Sequence, residues 1–336
     1  MDPHPARHRI WCEMLPHETL RAEPVLALLA RYGLEPLVAV RPGDLGTLPE
    51  TLRALTGRGL PVALWPMLED AHGRWPSARN AERFGRFTDE VLAIARALPE
   101  HARPRELVFD LEPSYGDYKT WLALARARRP PGGHPPPSGG VAVERARALF
   151  QALAERARGD GLGVSSAVMP MVLWDPEPPS PGPWQRWLGT PVDGMDWDHA
   201  SVMLYTSIFE GWSRGLFSRR DSVAFLAEVA LAASRRFGPA AGVSLGAVGV
   251  GALGDEPTYR SPEELAGDAS VARGLGVRTL SLFDLGGVLS RPPAEAWLDA
   301  FTHPDAPRDQ PTSARARALV KLLRGAALAA GHFSRR

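Results

Sequence analysis

The chain has only one cysteine, Cys12, so no intrachain disulfide can form and zinc sites built from several thiolates are excluded. Lysine is nearly as scarce: Lys119 and Lys321 are the only two, which leaves lysine Schiff-base chemistry almost without candidates. Neither sign of charge is in excess, with 39 Lys and Arg against 38 Asp and Glu, so the balance points to no nucleic-acid or other strongly charged partner. No apolar run approaches the length of a membrane span, and the opening Met1-Asp-Pro-His-Pro-Ala-Arg-His8 has no apolar signal core. A cytoplasmic location is expected unless a leader has been removed. The nine histidines include no His-x-His pair, and only His8 and His199 lie beside strand-like runs, at their starting ends. A site without a metal or other cofactor is therefore expected.

What is present is an ordinary globular composition, 44% hydrophobic and 23% charged over 336 residues, enough for a full core. Eight strand-like runs recur: Arg9 to Met14, Pro36 to Val40, Pro61 to Met67, Glu106 to Glu112, Gly163 to Met171, Ala200 to Thr206, Gly242 to Val250 and Val277 to Asp284. Between them lie amphipathic helical stretches, among them Glu18 to Tyr32, Asn80 to Leu98, Val141 to Arg158, Ser222 to Phe237 and Pro262 to Leu275. Ser261-Pro-Glu-Glu supplies a cap residue, a first-turn proline and early acids, and Gly33, Gly59, Gly161 and Gly276 punctuate helix ends. Eight β/α units in a chain of this length predict a closed (β/α)₈ barrel over about residues 9 to 302, with chemistry at the C-terminal strand ends.

Two segments depart from the scheme. Arg129 to Gly140, crowded with Pro and Gly, reads as a surface loop splitting the fourth connection. Asp175 to Pro191, which carries Trp184 and Trp187, is expected over the barrel mouth. Residues 303 to 336 form a tail. Within it, residues 313 to 330 predict a basic amphipathic helix with Leu319, Leu322, Leu323 and Ala326 on the stripe that docks on the barrel; any protein partner of this helix is unspecified.

The chemistry concentrates in Glu106-Leu-Val-Phe-Asp-Leu-Glu-Pro113. Strand side chains alternate, so Leu107, Phe109 and Leu111 face the helices while Val108, Asp110 and Glu112 face the interior. Two carboxylates at one strand end are costly to desolvate and cannot both ionise freely. Glu112, nearer the mouth, is the expected proton donor; Asp110 is expected to stay charged if Tyr205 or an arginine reaches it. Other residues at predicted strand ends are Glu13, Arg41, Trp65, Met169, Met171, Trp174, Tyr205, Phe283 and Asp284. Rings and methionines beside acids suit a sugar, whose faces stack on rings while carboxylates handle the glycosidic oxygen.

Phe109-Asp-Leu-Glu112, Ala167-Val-Met-Pro170 and Val202-Met-Leu-Tyr205 resemble the fourth, fifth and sixth strands of family 18 glycoside hydrolases, the chitinase-like barrels. The resemblance implies a retaining hydrolase in which Glu112 is the general acid, Asp110 orients the substrate's acetamido group as nucleophile, and Tyr205 supports that oxygen. The chain departs from the family pattern at Arg105 and Val108, where further aspartates are usual, at Thr206 for aspartate, and at Phe283 for tryptophan. The shorter Asp-x-Glu also occurs in other hydrolase barrels, such as the lysozyme-like family 25. A direct nucleophilic role for Asp110 stays open.

Two other readings are set beside this one. Gly249-Val-Gly-Ala-Leu-Gly254 matches a dinucleotide fingerprint, but Asp255-Glu-Pro-Thr-Tyr-Arg-Ser-Pro262 replaces the helix that should follow. As a loop after the seventh strand, with Gly286-Gly287 after the eighth, it would instead suit a phosphosugar isomerase or aldolase. A silent barrel that binds a glycan or a protein is the remaining alternative. It would bury or salt-bridge Glu112, whereas an active site leaves that carboxyl open to a cleft.

Overall fold

The computed structural model describes residues 6–126, 139–176, 180–305 and 311–333. Eight parallel strands close on themselves: β1 (Arg7–Cys12), β2 (Glu35–Val40), β3 (Ala63–Pro66), β4 (Glu106–Leu111), β5 (Gly163–Val168), β6 (His199–Met203), β7 (Ala241–Gly246) and β8 (Thr279–Phe283). Each strand pairs with its neighbour in sequence, and β8 returns to β1 with Thr279 beside Arg7. With helices between the strands, this is a (β/α)₈ barrel. Up to residue 138, the Pro/Gly segment expected as a loop lies outside the described residues.

Alternation along the strands sorts side chains into two cores. Outward residues such as Ile10, Val38, Leu107, Phe109 and Leu111 meet the helices, and inward residues such as Trp11, Trp65, Met67, Val108 and Phe283 fill the barrel. The inner set mixes large rings with Ala39, Ala63, Ala167 and Ala247, as filling a closed barrel requires. Below it Arg9, Glu106 and Ser165 form a buried polar plug at the N-terminal end. Phe109 is fully buried against Phe84, Phe150 and Trp197, with ring centroids 5.6–5.8 Å apart. Phe109→Ala is expected to destabilise the fold by about 3–5 kcal/mol, read as a lower urea midpoint at unchanged slope.

Local chemistry explains the departures from the sequence pattern. The first helix splits into His17–Leu20 and Glu23–Arg31 because Pro24 cannot continue a helix yet suits the first turn of a new one. The fifth strand stops at Val168, since Pro170 opens a 3₁₀ turn over Pro170–Trp174. The Asp175 to Pro191 segment is also placed differently from expectation. Asp175 accepts from the backbone of Trp184 and Gln185 at the start of helix Pro183–Leu188, Trp184 donates to Leu323 O, and Trp187 stacks on Trp121 at 4.2 Å. Neither tryptophan enters the barrel mouth.

The C-terminal helix, Ala314–Phe333, packs on helix Arg219–Phe237. Its buried residues are Ala316, Val320 and Ala327, with Leu319 and Leu323 partly covered, while Leu322 is 68% exposed and Ala326 lies outside. The docking stripe is thus turned from the expected one, because the small residues Ala316 and Ala327 allow the closest approach. Val320→Ala should lower the melting temperature measurably, whereas Leu322→Ala should change stability by no more than about 0.5 kcal/mol. The opposite ranking in thermal melts would contradict this docking. Among the described residues, no helix is long and apolar enough to cross a membrane.

Candidate active site

The interior alternation of β4 carries Asp110 to the top of the barrel, and Glu112 follows one residue past the strand, its N–H donating to Asp110 O at 3.0 Å. Asp110 is buried and Glu112 half-buried. Both line a cavity of about 70 Å³ with Glu13, Trp65, Tyr205 and Phe283, and with Trp11, Trp75, Tyr118, Met203, Ile208, Trp212, Ala252, Leu253 and Glu256. That volume holds several waters or one side group of a sugar, well short of the roughly 300–1,000 Å³ of a pocket enclosing a whole drug-sized ligand. Larger grooves of about 620 and 710 Å³ lie elsewhere, the first beside Arg79, Arg83 and Arg145, the second beside Trp174 and Arg236. Size alone would favour them. The small cavity is the better site because Asp110 Oδ1 and Glu256 Oε2, buried in its wall, have no close hydrogen-bond partner, the Trp65 N–H being near Asp110 but too loosely placed to satisfy it.

The electrostatics follow from that wall. Burial first, then the charges of Glu112 and Glu13, hold the Asp110 carboxyl well above the usual carboxylate range. Burial and Glu13 push Glu112 up to about 8, against a smaller opposing pull from Arg74. Glu13 is itself raised by burial, opposed by an ion pair of 2.8 Å with Arg74 Nη1. The expectation that Asp110 stays charged is therefore corrected: Tyr205 Oη instead shares a 3.4 Å hydrogen bond with Ser244 Oγ, and Arg74 acts on Asp110 only as a smaller opposing charge. Ser244 also accepts from Trp11 Nε1 at 2.8 Å. Gly242-Val-Ser-Leu-Gly246 spells a hydrolase elbow, yet Ser244 is fully buried inside β7 and engaged with two aromatic residues, so it offers no exposed nucleophile.

Other predicted residues divide. Glu13, Trp65 and Phe283 reach the cavity, Trp65 edge-on to Trp11 at 4.6 Å and Phe283 stacked on Tyr205 at 5.2 Å. Trp174 does not; the 3₁₀ turn carries it outward onto Phe225 at 5.6 Å. Met171 packs on the outer core for the same reason, and Met169 lies between the two cores without lining the cavity. Asp284 caps helix Leu285–Ser290 by accepting from Gly287 N at 2.9 Å, and burial raises its carboxyl to about 6. Arg41 donates to the backbone carbonyl of Glu13. The glycine loops close on each other: a Cβ on Gly249 would lie 2.6 Å from Gly287 Cα, and the Gly287 N–H is already taken by Asp284. That arrangement leaves no anion nest for a phosphate.

Several residues of the site had no sequence signal. Arg74 has φ 57°, in the left-handed region rare for arginine, and so its guanidinium reaches both Glu13 and Asp70 while lying 4.7 Å from the Tyr115 ring centre. Tyr115 Oη donates to Ala252 O at 3.0 Å and ties the rim after β4 to the loop after β7, which carries Glu256. Trp75 packs edge-on to both Tyr115 and Tyr118. Among the described residues, no three His, Cys, Asp or Glu side chains converge as a metal-ion ligand set.

No family model matches the chain, and no curated protein matches it. Solved structures do. The glycoside hydrolase domain of PgaB (BpsB) from Bordetella bronchiseptica superposes with a TM-score of 0.52 at 12% identity, over 90% of this chain and 100% of that one. A chitinase from Chromobacterium violaceum gives 0.50 at 14%, over 90% and 100%. A broad-specificity GH5-4 endoglucanase from an uncultured bacterium gives 0.51 at 12%, over 88% and 89%. At such identities the likeness shows the fold: these structural neighbours are glycoside hydrolase-like TIM barrels.

Proposed function

We propose that the protein is a retaining glycoside hydrolase of the family 18-like kind, acting on an oligo- or polysaccharide at the cavity above β4. The observation that carries the reading is that the half-buried Glu112 carboxyl faces the cavity unpaired. Its carboxyl lines the cavity, has no ion-pair or hydrogen-bond partner among the described residues, and is protonated at neutral pH because burial and Glu13 hold its pKa near 8. A silent barrel would have salt-bridged that group, and among the described residues no ion pair holds it. The named activities of the three neighbours support the reading by analogy of fold only.

In this reading Glu112 gives its proton to the glycosidic oxygen. Trp65 and Phe283 flank the sugar, and Tyr205 supports the oxygen of an acetamido group. Asp110, with one oxygen lacking a close partner near the Trp65 N–H, either orients that acetamido group or, once ionised, attacks the anomeric carbon itself. A screen of chromogenic N-acetylated and non-acetylated glycosides tests the proposal: release of chromophore from at least one class supports it, and inertness toward both, with intact folding, removes it.

The raised pKa also carries a stability consequence. The folded protein holds the Glu112 proton to about pH 8, whereas an ordinary glutamate releases it near 4.5. The stability contributed by the neutral carboxyl is complete below about pH 4.5 and is lost as pH rises through 8. Glu112→Gln, neutral at every pH, should match the wild-type melting temperature at pH 4.5 and exceed it by roughly 2 °C or more at pH 8.5. An equal difference at both pH values would contradict the assigned environment.

A further inference from the structure

We infer that Glu256 is a substrate-recognition residue on the β7 side of this cavity, and that the sugar unit it takes carries a free, positively charged amine. The inference rests on the hydrolase reading for the identity of the ligand as a sugar, but its own evidence is separate. Glu256 is only 7% exposed, and one carboxylate oxygen is held by the Leu253 N–H at 2.8 Å. The other, Oε2, is buried in the cavity wall without any partner. Backbone was shaped to admit this group: a Cβ on Gly251 would stand 3.0 Å from Glu256 Oε1 and 3.1 Å from the Phe283 ring. The Tyr115 hydrogen bond to Ala252 O holds the same loop to the rim after β4. A carboxylate oxygen desolvated with no donor is costly to fold around, and its use is as an acceptor for something that arrives.

The charge balance of the wall says what arrives. Of the four acids that line the cavity, Asp110 and Glu112 are held toward their neutral forms and Glu13 is paired with Arg74, which leaves Glu256 without a compensating cation; among the described residues no lysine, arginine or histidine lines the cavity. Arg74, a cation beside the wall, is spent on Glu13 and Asp70. A uronic acid, sulfated sugar or phosphosugar would meet the Glu256 carboxylate with no cation on the wall to offset it. A neutral N-acetylated unit would supply donors but leave the Glu256 charge uncompensated. A free ammonium matches both the charge and the unfilled oxygen, and would form a charge-assisted hydrogen bond in a site partly closed to water.

The test is calorimetric titration of the full chain at pH 6 with a fully de-N-acetylated glucosamine tetramer and with the matched N-acetylated tetramer. The wild type should bind the free-amine tetramer at least about tenfold more tightly, and sodium chloride should erode that preference. Glu256→Gln should reduce the ratio to near one by weakening the free-amine tetramer, and Glu256→Asp should keep a reduced preference. Thermal melts report whether each variant folds; should Glu256→Gln fail to fold, the salt dependence in the wild type decides. Equal binding of the two tetramers, or a preference untouched by Glu256→Gln or by salt, would overturn the inference. If Glu112-dependent cleavage of N-acetylated substrates is found beside equal binding, the hydrolase reading stands and the amine inference falls. A Glu256-dependent amine preference with no cleavage of any glycoside gives the reverse.

Discussion

Glu112→Gln is expected to lower turnover of a cleaved glycoside by at least about a hundredfold while KM changes little. Glutamine keeps the shape and hydrogen-bonding capacity of the protonated acid, so the ligand-binding wall is preserved, but it has no proton to give to the leaving oxygen. The effect should be smallest on aryl glycosides with acidic leaving groups, which need little protonation, and largest on natural linkages. Steady-state kinetics on one substrate of each kind separates loss of proton transfer from general damage. A uniform loss across both kinds would point to disturbed packing.

Asp110→Asn is expected to have a comparable effect, and the substrate range tells why. Asp110 stands beside Glu112 in the crowded interior and keeps one unpartnered oxygen beside the Trp65 N–H. If it orients a substrate acetamido group, the variant should lose about two to three orders of magnitude on N-acetylated glycosides, as expected when an oriented partner in the reaction is removed. A thiazoline-type inhibitor should then bind the wild type, Tyr205→Phe should also impair turnover, and substrates without the 2-acetamido group should be inert. If Asp110 attacks directly, the non-acetylated substrates react, and mass spectrometry of the quenched enzyme shows a glycosyl adduct on the peptide containing Asp110. Full activity of Asp110→Asn on every substrate would remove the residue from either role.

The barrel and the floor of the site were legible in the sequence because they depend on short-range periodicity. The alternation of Glu106 to Glu112 places Phe109 among the helices and Asp110 inside, and both lie there. What was not legible depends on contacts between segments far apart in the chain. Trp174 and Met171 read as mouth residues only while the fifth strand is continued past Pro170, a residue without an N–H to donate. Arg74 enters the site through a left-handed backbone turn. Glu256 does so through a loop tied to Tyr115 across the rim; neither has a periodic signature. Asp284 looked like a fourth strand-end acid, but the glycines behind it make it a helix cap. The turned docking stripe of the C-terminal helix has the same origin, since the apolar residues Leu319, Leu322 and Leu323 could serve more than one face and the partner surface chose among them.

The central claim, that Glu112 donates a proton from a site that keeps it neutral, is tested most directly by the pH dependence of kcat/KM on a cleaved glycoside, which reports the free enzyme's ionisations. Glu112 must be protonated to act, so kcat/KM should hold from about pH 6 to 7.5 and then fall tenfold per pH unit above about 8, and that alkaline limb should vanish in Glu112→Gln. A profile flat to pH 10, one that rises through pH 8, or an alkaline limb that survives in Glu112→Gln would contradict it.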